Sequence, residues 1–294
     1  HFSDAQLSRH RGLNVCHADK IEAEVEAFRQ SFEKSDKAIY NGLKWLIEKT
    51  RSGEKVSELT FRDKVNSFYK EEGARTQSFR TISGFGASSS IIHFGSPSEN
   101  KNHQEGEFVL LDSGAIYDEG VATDCTRTII PNGKATAKQR EQYTLVLKGL
   151  INLMKASVPK GTLGKELDIV ARAALKAKGL NYGHGTGHGV GINVHESGYS
   201  ITPSSEVPLV PGTVGSMEPG YYEPGVGGIR LENIVYVKED PNNSGNVCFE
   251  NLVHIGFWPD LIEASLLNAE EASWLADYEK KCQAKGRSFE KYSS

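Results

Sequence analysis

Four acidic residues form two matched pairs, and a histidine segment lies between them. Asp112 and Asp124 make the first pair, in Phe108-Val-Leu-Leu-Asp-Ser-Gly and Thr123-Asp-Cys-Thr-Arg-Thr. Glu218 and Glu232 make the second, in Ser216-Met-Glu-Pro-Gly and Gly228-Ile-Arg-Leu-Glu-Asn. His188 sits between them in Gly183-His-Gly-Thr-Gly-His-Gly-Val-Gly. Carboxylates gathered without cations repel one another and take up protons. With two divalent metals the same set becomes charge-balanced and can activate water at neutral pH. Carboxylate and imidazole donors without sulfur favour Mn, Co, Fe or Zn. Metals about 3.5–4 Å apart clamp the oxygens of a tetrahedral intermediate, so the chemistry expected is hydrolysis of an amide or ester.

Such a site requires that each pair meet. The midpoint of 112 and 124 is residue 118, inside the turn signal Tyr117-Asp-Glu-Gly120. A hairpin turning there places Asp112 and Asp124 directly opposite each other. The midpoint of 218 and 232 is Gly225, inside Pro224-Gly-Val-Gly-Gly228, and the same reasoning brings Glu218 and Glu232 together. Facing acidic pairs destabilise a sheet unless something neutralises them, which argues against surface decoration. An isolated histidine is more often a packed core residue than a ligand. His184, His188 and His195, however, fall within one short segment. Its glycines disfavour a helix. As a strand, 184, 186 and 188 share a face, and glycine allows close approach of backbone or substrate. The segment loosely echoes a phosphate loop but lacks the Lys-Ser/Thr pair.

Helical spacing of Ile21, Val25, Phe28, Phe32, Ile39, Leu43 and Leu46 predicts a helix over 19–50. A second is expected over 60–72, stopped by Gly73. Extended segments are expected at 79–83, 90–94 and 107–111. A capping-box pattern at Thr136-Ala-Lys-Gln139 opens a helix to about residue 156, and another spans 163–177. Extended Gly-rich segments return at 182–195 and 215–237. A last helix begins at Asn268-Ala-Glu-Glu271 and carries Trp274 and Leu275 toward a core. The order helix, helix, strands, acidic hairpin thus occurs twice, with Pro131-Asn-Gly133 as the joint. This implies an α+β domain with internal pseudo-symmetry.

The 294 residues suffice for one large domain or two ordinary ones. Lys and Arg number 34 against 38 Asp and Glu, a net charge of −4. With no basic run interleaved with aromatics, nucleic acid is not an expected partner. No stretch of about 18 apolar residues predicts a membrane span. No secretory leader is recognised in the first twenty residues, which are polar. The cysteines Cys16, Cys125, Cys248 and Cys282 lack paired spacing and are expected to be reduced thiols of a cytoplasmic protein.

With these residues in hand, the chain resembles the pita-bread metallopeptidases. The resemblance rests on Asp112-Ser-Gly, Asp124-Cys-Thr-Arg-Thr, His184-Gly-Thr-Gly-His188-Gly-Val-Gly, Val194-His-Glu196, Glu218-Pro-Gly-Tyr-Tyr222 and Gly228-Ile-Arg-Leu-Glu232-Asn. Thr81-Ile-Ser and Ile91-Ile-His93-Phe match a segment that carries a substrate-site histidine. The tail, from Cys248-Phe-Glu-Asn-Leu-Val to Glu271-Ala-Ser-Trp-Leu-Ala-Asp-Tyr278, looks like the C-terminal extension of the large aminopeptidases P. The resemblance covers nearly all of 15–280 and implies two pseudo-symmetric halves around a curved antiparallel sheet.

It further implies that Asp112, Asp124, His188, Glu218 and Glu232 bind two divalent metals, usually Mn, with Asp124 and Glu232 shared between them. Glu218 would accept the proton as water attacks the carbonyl before proline. His93 and His195 would contact substrate and stabilise the intermediate. His184 would line the proline side. Arg230 and, with less support, Tyr222 would hold the carboxylates from behind. The expected activity is removal of an N-terminal residue that precedes proline. The alternatives are an Xaa-Pro dipeptidase (prolidase) and a non-catalytic peptide-binding module. Homodimerisation is a further expectation.

The segment 117–123 is one residue longer than usual in the family, which implies a bulge and leaves the local register open. Family members carry one or two N-terminal domains that nothing in these residues matches. The organisation expected is a lead-in over 1–17, a catalytic domain over 18–258 and a C-terminal extension over 259–294.

Overall fold

The computed structural model describes residues 20–293. The expected lead-in over 1–17, and Cys16 with it, lies outside the described residues. Helix α1 spans Glu22–Arg51 and α2 spans Glu58–Glu71. α1 buries Val25, Phe28, Phe32, Ile39, Leu43 and Leu46 along one face, the stripe that its spacing predicts. Ile21 departs from that expectation. It is 66% exposed and stands just outside the helix, where its backbone N–H donates to Glu24 Oε2 at 3.0 Å. α2 starts earlier than expected because the Ser57 hydroxyl accepts from Thr60 N and caps it. Gly73, at a φ of 86°, ends it.

The first strands are β1 (Thr76–Gln77), β2 (Ile82–Phe85), β3 (Val109–Ser113), β4 (Ala115–Ile116) and β5 (Cys125–Ile129). β2, β3 and β5 form a three-stranded antiparallel sheet against which α2 packs. The expected extended segment at 90–94 is not a strand. Gly86–Ser90 is a 3₁₀ helix followed by a turn. Ser89 Oγ donates to Gly86 O and Ser90 Oγ to Ala87 O, bonds that tighten the backbone and compete with a ladder.

Helices α3 (Ala137–Met154) and α4 (Gly164–Lys176) open the second half. The capping box at Thr136 and Gln139 forms as expected. Eight strands follow: β6 (Val158–Pro159) between the helices, then β7 (Gly187–Gly189), β8 (Glu196–Ile201), β9 (Val214–Met217), β10 (Gly220–Glu223), β11 (Gly227–Arg230), β12 (Asn233–Glu239) and β13 (Asn246–Asn251). Six of them form one antiparallel sheet in the order β6-β13-β12-β9-β7-β8, and β10 pairs with β11. The order of two helices followed by an acidic hairpin therefore recurs, as the sequence implies.

The two halves are fastened where their hairpins meet. Glu232 N donates to Thr126 O at 3.1 Å, Thr128 Oγ1 donates to Arg230 O at 3.1 Å, and Arg230 N donates back to Thr128 Oγ1 at 3.1 Å. Helix α5 (Ala269–Ala284) carries the capping box expected at Asn268 and packs on α3. Buried Glu271 fixes that contact by pairing with Lys148 Nζ at 2.5 Å. Trp274 is half-buried and stacks on Tyr278, with ring centroids 5.2 Å apart. Cys125, Cys248 and Cys282 are free thiols. No described helix is long and apolar enough to cross a membrane.

Candidate metal centre

The second acidic hairpin forms in the expected register. Gly220 pairs with Arg230 and Glu223 with Gly227, so the turn centres on Gly225, whose φ is 77°. Met217 opposite Asn233 keeps the same register in the next strand pair. Glu218 and Glu232 lie between these pairings and therefore face each other. The first hairpin corrects its expectation. Asp112 pairs with Thr126 and Ser113 with Cys125, which moves the turn one residue on, to Glu119. Gly120, at a φ of 79°, closes it, its N–H donating to Tyr117 O at 3.0 Å. Asp124 is thus diagonal to Asp112, not opposite. A shift of two residues preserves the face, so both carboxylates still point to one side.

His188 is the middle residue of β7. The glycines around it answer to close backbone approach. A Cβ on Gly187 would lie 2.1 Å from Ser216 O, and one on Gly189 would lie 2.5 Å from Glu196 O. His184 precedes the strand and does not share its ladder, yet both rings reach the same cavity. His195 reaches it from the adjoining loop. There Glu196 Oε1 accepts from Ile192 N at 2.7 Å and Asn193 N at 3.3 Å and shapes the turn. The His195 ring meets His188 edge-on, centroids 4.2 Å apart.

The cavity measures about 600 Å³ and is lined by Asp112, Asp124, His188, Glu218 and Glu232 together with His93, His184 and His195. Donor atoms of Asp124, His188 and Glu232 all lie within 4.8 Å of one another. His188 Nε2 is 3.2 Å from Glu218 Oε1 and 3.5 Å from Asp124 Oδ2. His188 Nδ1 lies 3.1 Å from the Gly189 carbonyl, to which only a protonated nitrogen can donate. That bond leaves Nε2 to face the carboxylates.

The electrostatics describe a site short of cations. Burial pushes Asp124 well above the usual carboxylate range, and the charges of Glu232, Asp112 and Glu218 push it further. Burial and the charges of Glu218 and Asp112 do the same to Glu232. Burial works to lower His188, but its hydrogen bond with Glu218 and that residue's charge outweigh burial and raise it. Glu218 moves the other way. Burial would raise it, but the contact with His188 holds it low. Asp112 Oδ1 and Glu232 Oε1 are buried and accept no hydrogen bond. Buried carboxylate oxygens without donors are costly, and hard divalent cations suit oxygen and imidazole donors. The residues therefore fit the metals that the sequence implies.

The supporting contacts are dense. Arg230 Nη2 donates to Asp112 Oδ2 at 2.6 Å, Nη1 to Tyr222 Oη at 2.8 Å and Nε to Thr126 Oγ1 at 3.2 Å. Tyr222 Oη also lies 2.8 Å from His184 Nε2, so Tyr222 belongs to the site rather than to the sheet alone. Sequence reasoning missed Thr126, whose Oγ1 donates to Glu232 Oε2 at 2.8 Å. It also missed Ser216, whose Oγ donates to Glu218 Oε1 at 3.0 Å and accepts from His188 N at 3.0 Å. Both flank a ligand candidate by two residues on the same strand face, a signal that alternation could have given.

Known proteins are similar to this chain in sequence and fold. A "Probable Xaa-Pro aminopeptidase P" of Metarhizium robertsii is 41% identical over 280 residues, covering 91% of this chain and 43% of that protein. "Aminopeptidase P2" of Arabidopsis thaliana is 38% identical over 272 residues, covering 89% and 38%. The chain thus spans less than half the length of these relatives. Among solved structures, an X-prolyl aminopeptidase of Caenorhabditis elegans, described as cytosolic with a di-nuclear active site, superposes with a TM-score of 0.88 at 32% identity, covering 92% of this chain and 45% of that one. The prolidase of Pyrococcus furiosus gives a TM-score of 0.72 at 30% identity, covering 85% and 73%. The fold is the α+β pita-bread arrangement that these structures share. Residues 26–239 match metallopeptidase family M24, and the chain belongs to that family.

Proposed function

We propose that the chain is the catalytic part of a dinuclear metal-dependent exopeptidase that hydrolyses the bond between an N-terminal residue and a following proline. The observation that carries this reading is the convergence of Asp112, Asp124, His188, Glu218 and Glu232 in one cavity, with two buried carboxylate oxygens left without donors. These five residues would hold two divalent ions, Mn²⁺ by preference, with Asp124 and Glu232 shared. Such a pair supplies Lewis-acid polarisation of the scissile carbonyl and acidifies water at neutral pH.

The chain's own residues supply the rest. The acidic floor attracts the substrate's α-ammonium group, which sets the exopeptidase register. Burial, the largest cause, lowers His195 and so favours the neutral ring, which retains one N–H. His195 and His93, on the same cavity wall, donate to the carbonyl oxygen as it gains charge. Glu218 accepts the proton of the attacking water and returns it to the departing proline nitrogen, its orientation held by Ser216. Both ring nitrogens of His184 are occupied, by Gly185 O at 2.7 Å and Tyr222 Oη at 2.8 Å. The ring therefore offers the substrate a surface without a free polar atom, which suits proline, a residue that has no N–H to donate.

The test is metal analysis with an Xaa-Pro-Xaa peptide assay on the wild type and Asp124→Ala. The variant should lose both metal and turnover; retention of both refutes the reading.

A further inference from the structure

One cation in the cavity wall has no role in the reaction described above. Arg80 lines the same cavity, in the segment between β1 and β2, and is exposed. Its neighbours on that wall are apolar: Phe79, Ile82, Ile92 and Phe94. The other arginine of the cavity, Arg230, is engaged through all three of its nitrogens by Asp112, Tyr222 and Thr126. Arg80 has no hydrogen bond or ion pair with any described residue.

Its position can be placed relative to the chemistry. Ile82, two residues on, is the Cα partner of Asp112. At about 3.3 Å per extended residue, Arg80 stands roughly 7 Å from the Asp112 row. It stands on the open side, because Gly84 and Phe85, in the opposite direction, are buried. In an Xaa-Pro-Xaa tripeptide the chain end also lies two residues, roughly 7 Å, beyond the bond to be cut.

We infer that Arg80 binds the C-terminal carboxylate of short peptides and makes the site selective for tripeptides with a free chain end. This rests on the exopeptidase reading for the direction of the substrate. The logic is one of opposed charges. The acidic floor takes the ammonium end, and without Arg80 it would repel a second negative group placed nearby. A guanidinium at the mouth reverses that repulsion and can grip a carboxylate with two N–H groups.

The experiment compares Ala-Pro-Ala, its C-terminal amide and Ala-Pro-Asp-amide. Binding is measured by calorimetry on the metal-free protein, where no turnover intrudes, and kcat/KM on the Mn²⁺-loaded protein. Wild type should bind the free acid about fivefold more tightly than the amide, the size expected of an exposed ion pair. Arg80→Gln should abolish or invert that preference, and Arg80→Lys should restore part of it. Equal binding of acid and amide by the wild type overturns the inference, as does a preference that survives in Arg80→Gln. Tight binding of Ala-Pro-Asp-amide, with the free acid no better than the plain amide, overturns the assignment to the chain end. If the binding preference holds while no peptide is cut, the proposed reaction fails and the role of Arg80 stands.

Discussion

Arg230 donates through Nη2 to Asp112 Oδ2 at 2.6 Å, linking residues 118 positions apart in the sequence. The same guanidinium reaches Tyr222 and Thr126, and Thr126 in turn holds Glu232. One buried cation thus orients a carboxylate from each acidic hairpin. Arg230→Lys keeps the charge but cannot span three partners with a single ammonium. Its Mn²⁺ affinity should fall by about 10–100-fold, the usual effect of removing a ligand's support. Titration calorimetry checks this, and unchanged affinity would remove Arg230 from the site.

A second prediction concerns His188, the one nitrogen donor among the proposed ligands. His188→Ala removes that donor and the partner of Glu218 at 3.2 Å. Metal content measured after dialysis should fall, and turnover should drop by about a thousandfold or more, as expected when the group that stabilises the transition state is lost.

The glycines make a paired prediction. Gly187→Ala would press its Cβ to 2.1 Å from Ser216 O and should destabilise the fold by about 3 kcal/mol or more. Gly183→Ala meets nothing within 4 Å and should change stability by less than about 0.5 kcal/mol. Urea denaturation of both variants reads the contrast.

Buried Arg127 connects the metal-centre strands to the C-terminal helix. It donates to Glu232 O at 2.5 Å, Asn233 Oδ1 at 2.8 Å, Ile255 O at 2.9 Å and Tyr278 Oη at 3.0 Å. Tyr278→Phe removes one acceptor of a buried charge and should cost about 1–3 kcal/mol. It should also loosen the backbone that carries Glu232. Thermal melts with and without Mn²⁺ separate the two effects, because weaker metal binding shrinks the metal-induced rise in Tm.

Asp36 on α1 supplies a pH prediction away from the metal centre. Burial lifts it from 3.8 to about 7, a rise that the charge of Arg287 opposes without cancelling. Its Oδ2 accepts from His254 N at 2.6 Å, and Oδ1 has no partner. A carboxyl raised in the folded state gives stability that is fully present below pH 3.8 and lost as pH rises through about 7. At about 1.36 kcal/mol per unit, the swing from this residue approaches roughly 4 kcal/mol. Asp36→Asn keeps an acceptor for His254 N and cannot ionise. It should therefore be more stable than wild type at pH 8 and close to it at pH 4, as read by urea midpoints.

The sequence was most legible where turn chemistry and ligand spacing coincide. Pro224-Gly-Val-Gly-Gly228 fixes its turn unambiguously, and the register of Glu218 and Glu232 follows. The first hairpin was harder, because the turn signal spreads over Tyr117 to Gly120 and the need for positive φ at Gly120 sets the centre one residue later. The extra residue in that loop carried the warning. Residues 90–94 read as an apolar strand, but the hydroxyls of Ser89 and Ser90, at its start, bond the backbone locally. Arg127 was illegible because Tyr278, one of its main partners, is 151 residues away. Contacts of that range depend on how the halves dock, which spacing within one segment does not encode.

The most direct test of the central claim is turnover of Ala-Pro-Ala, followed by release of free alanine, with and without added Mn²⁺ on metal-stripped protein. The account predicts release of alanine and the dipeptide Pro-Ala only when metal is present. Cleavage of Ala-Pro but not of Ala-Pro-Ala, or alanine release at the same rate without metal, would contradict it.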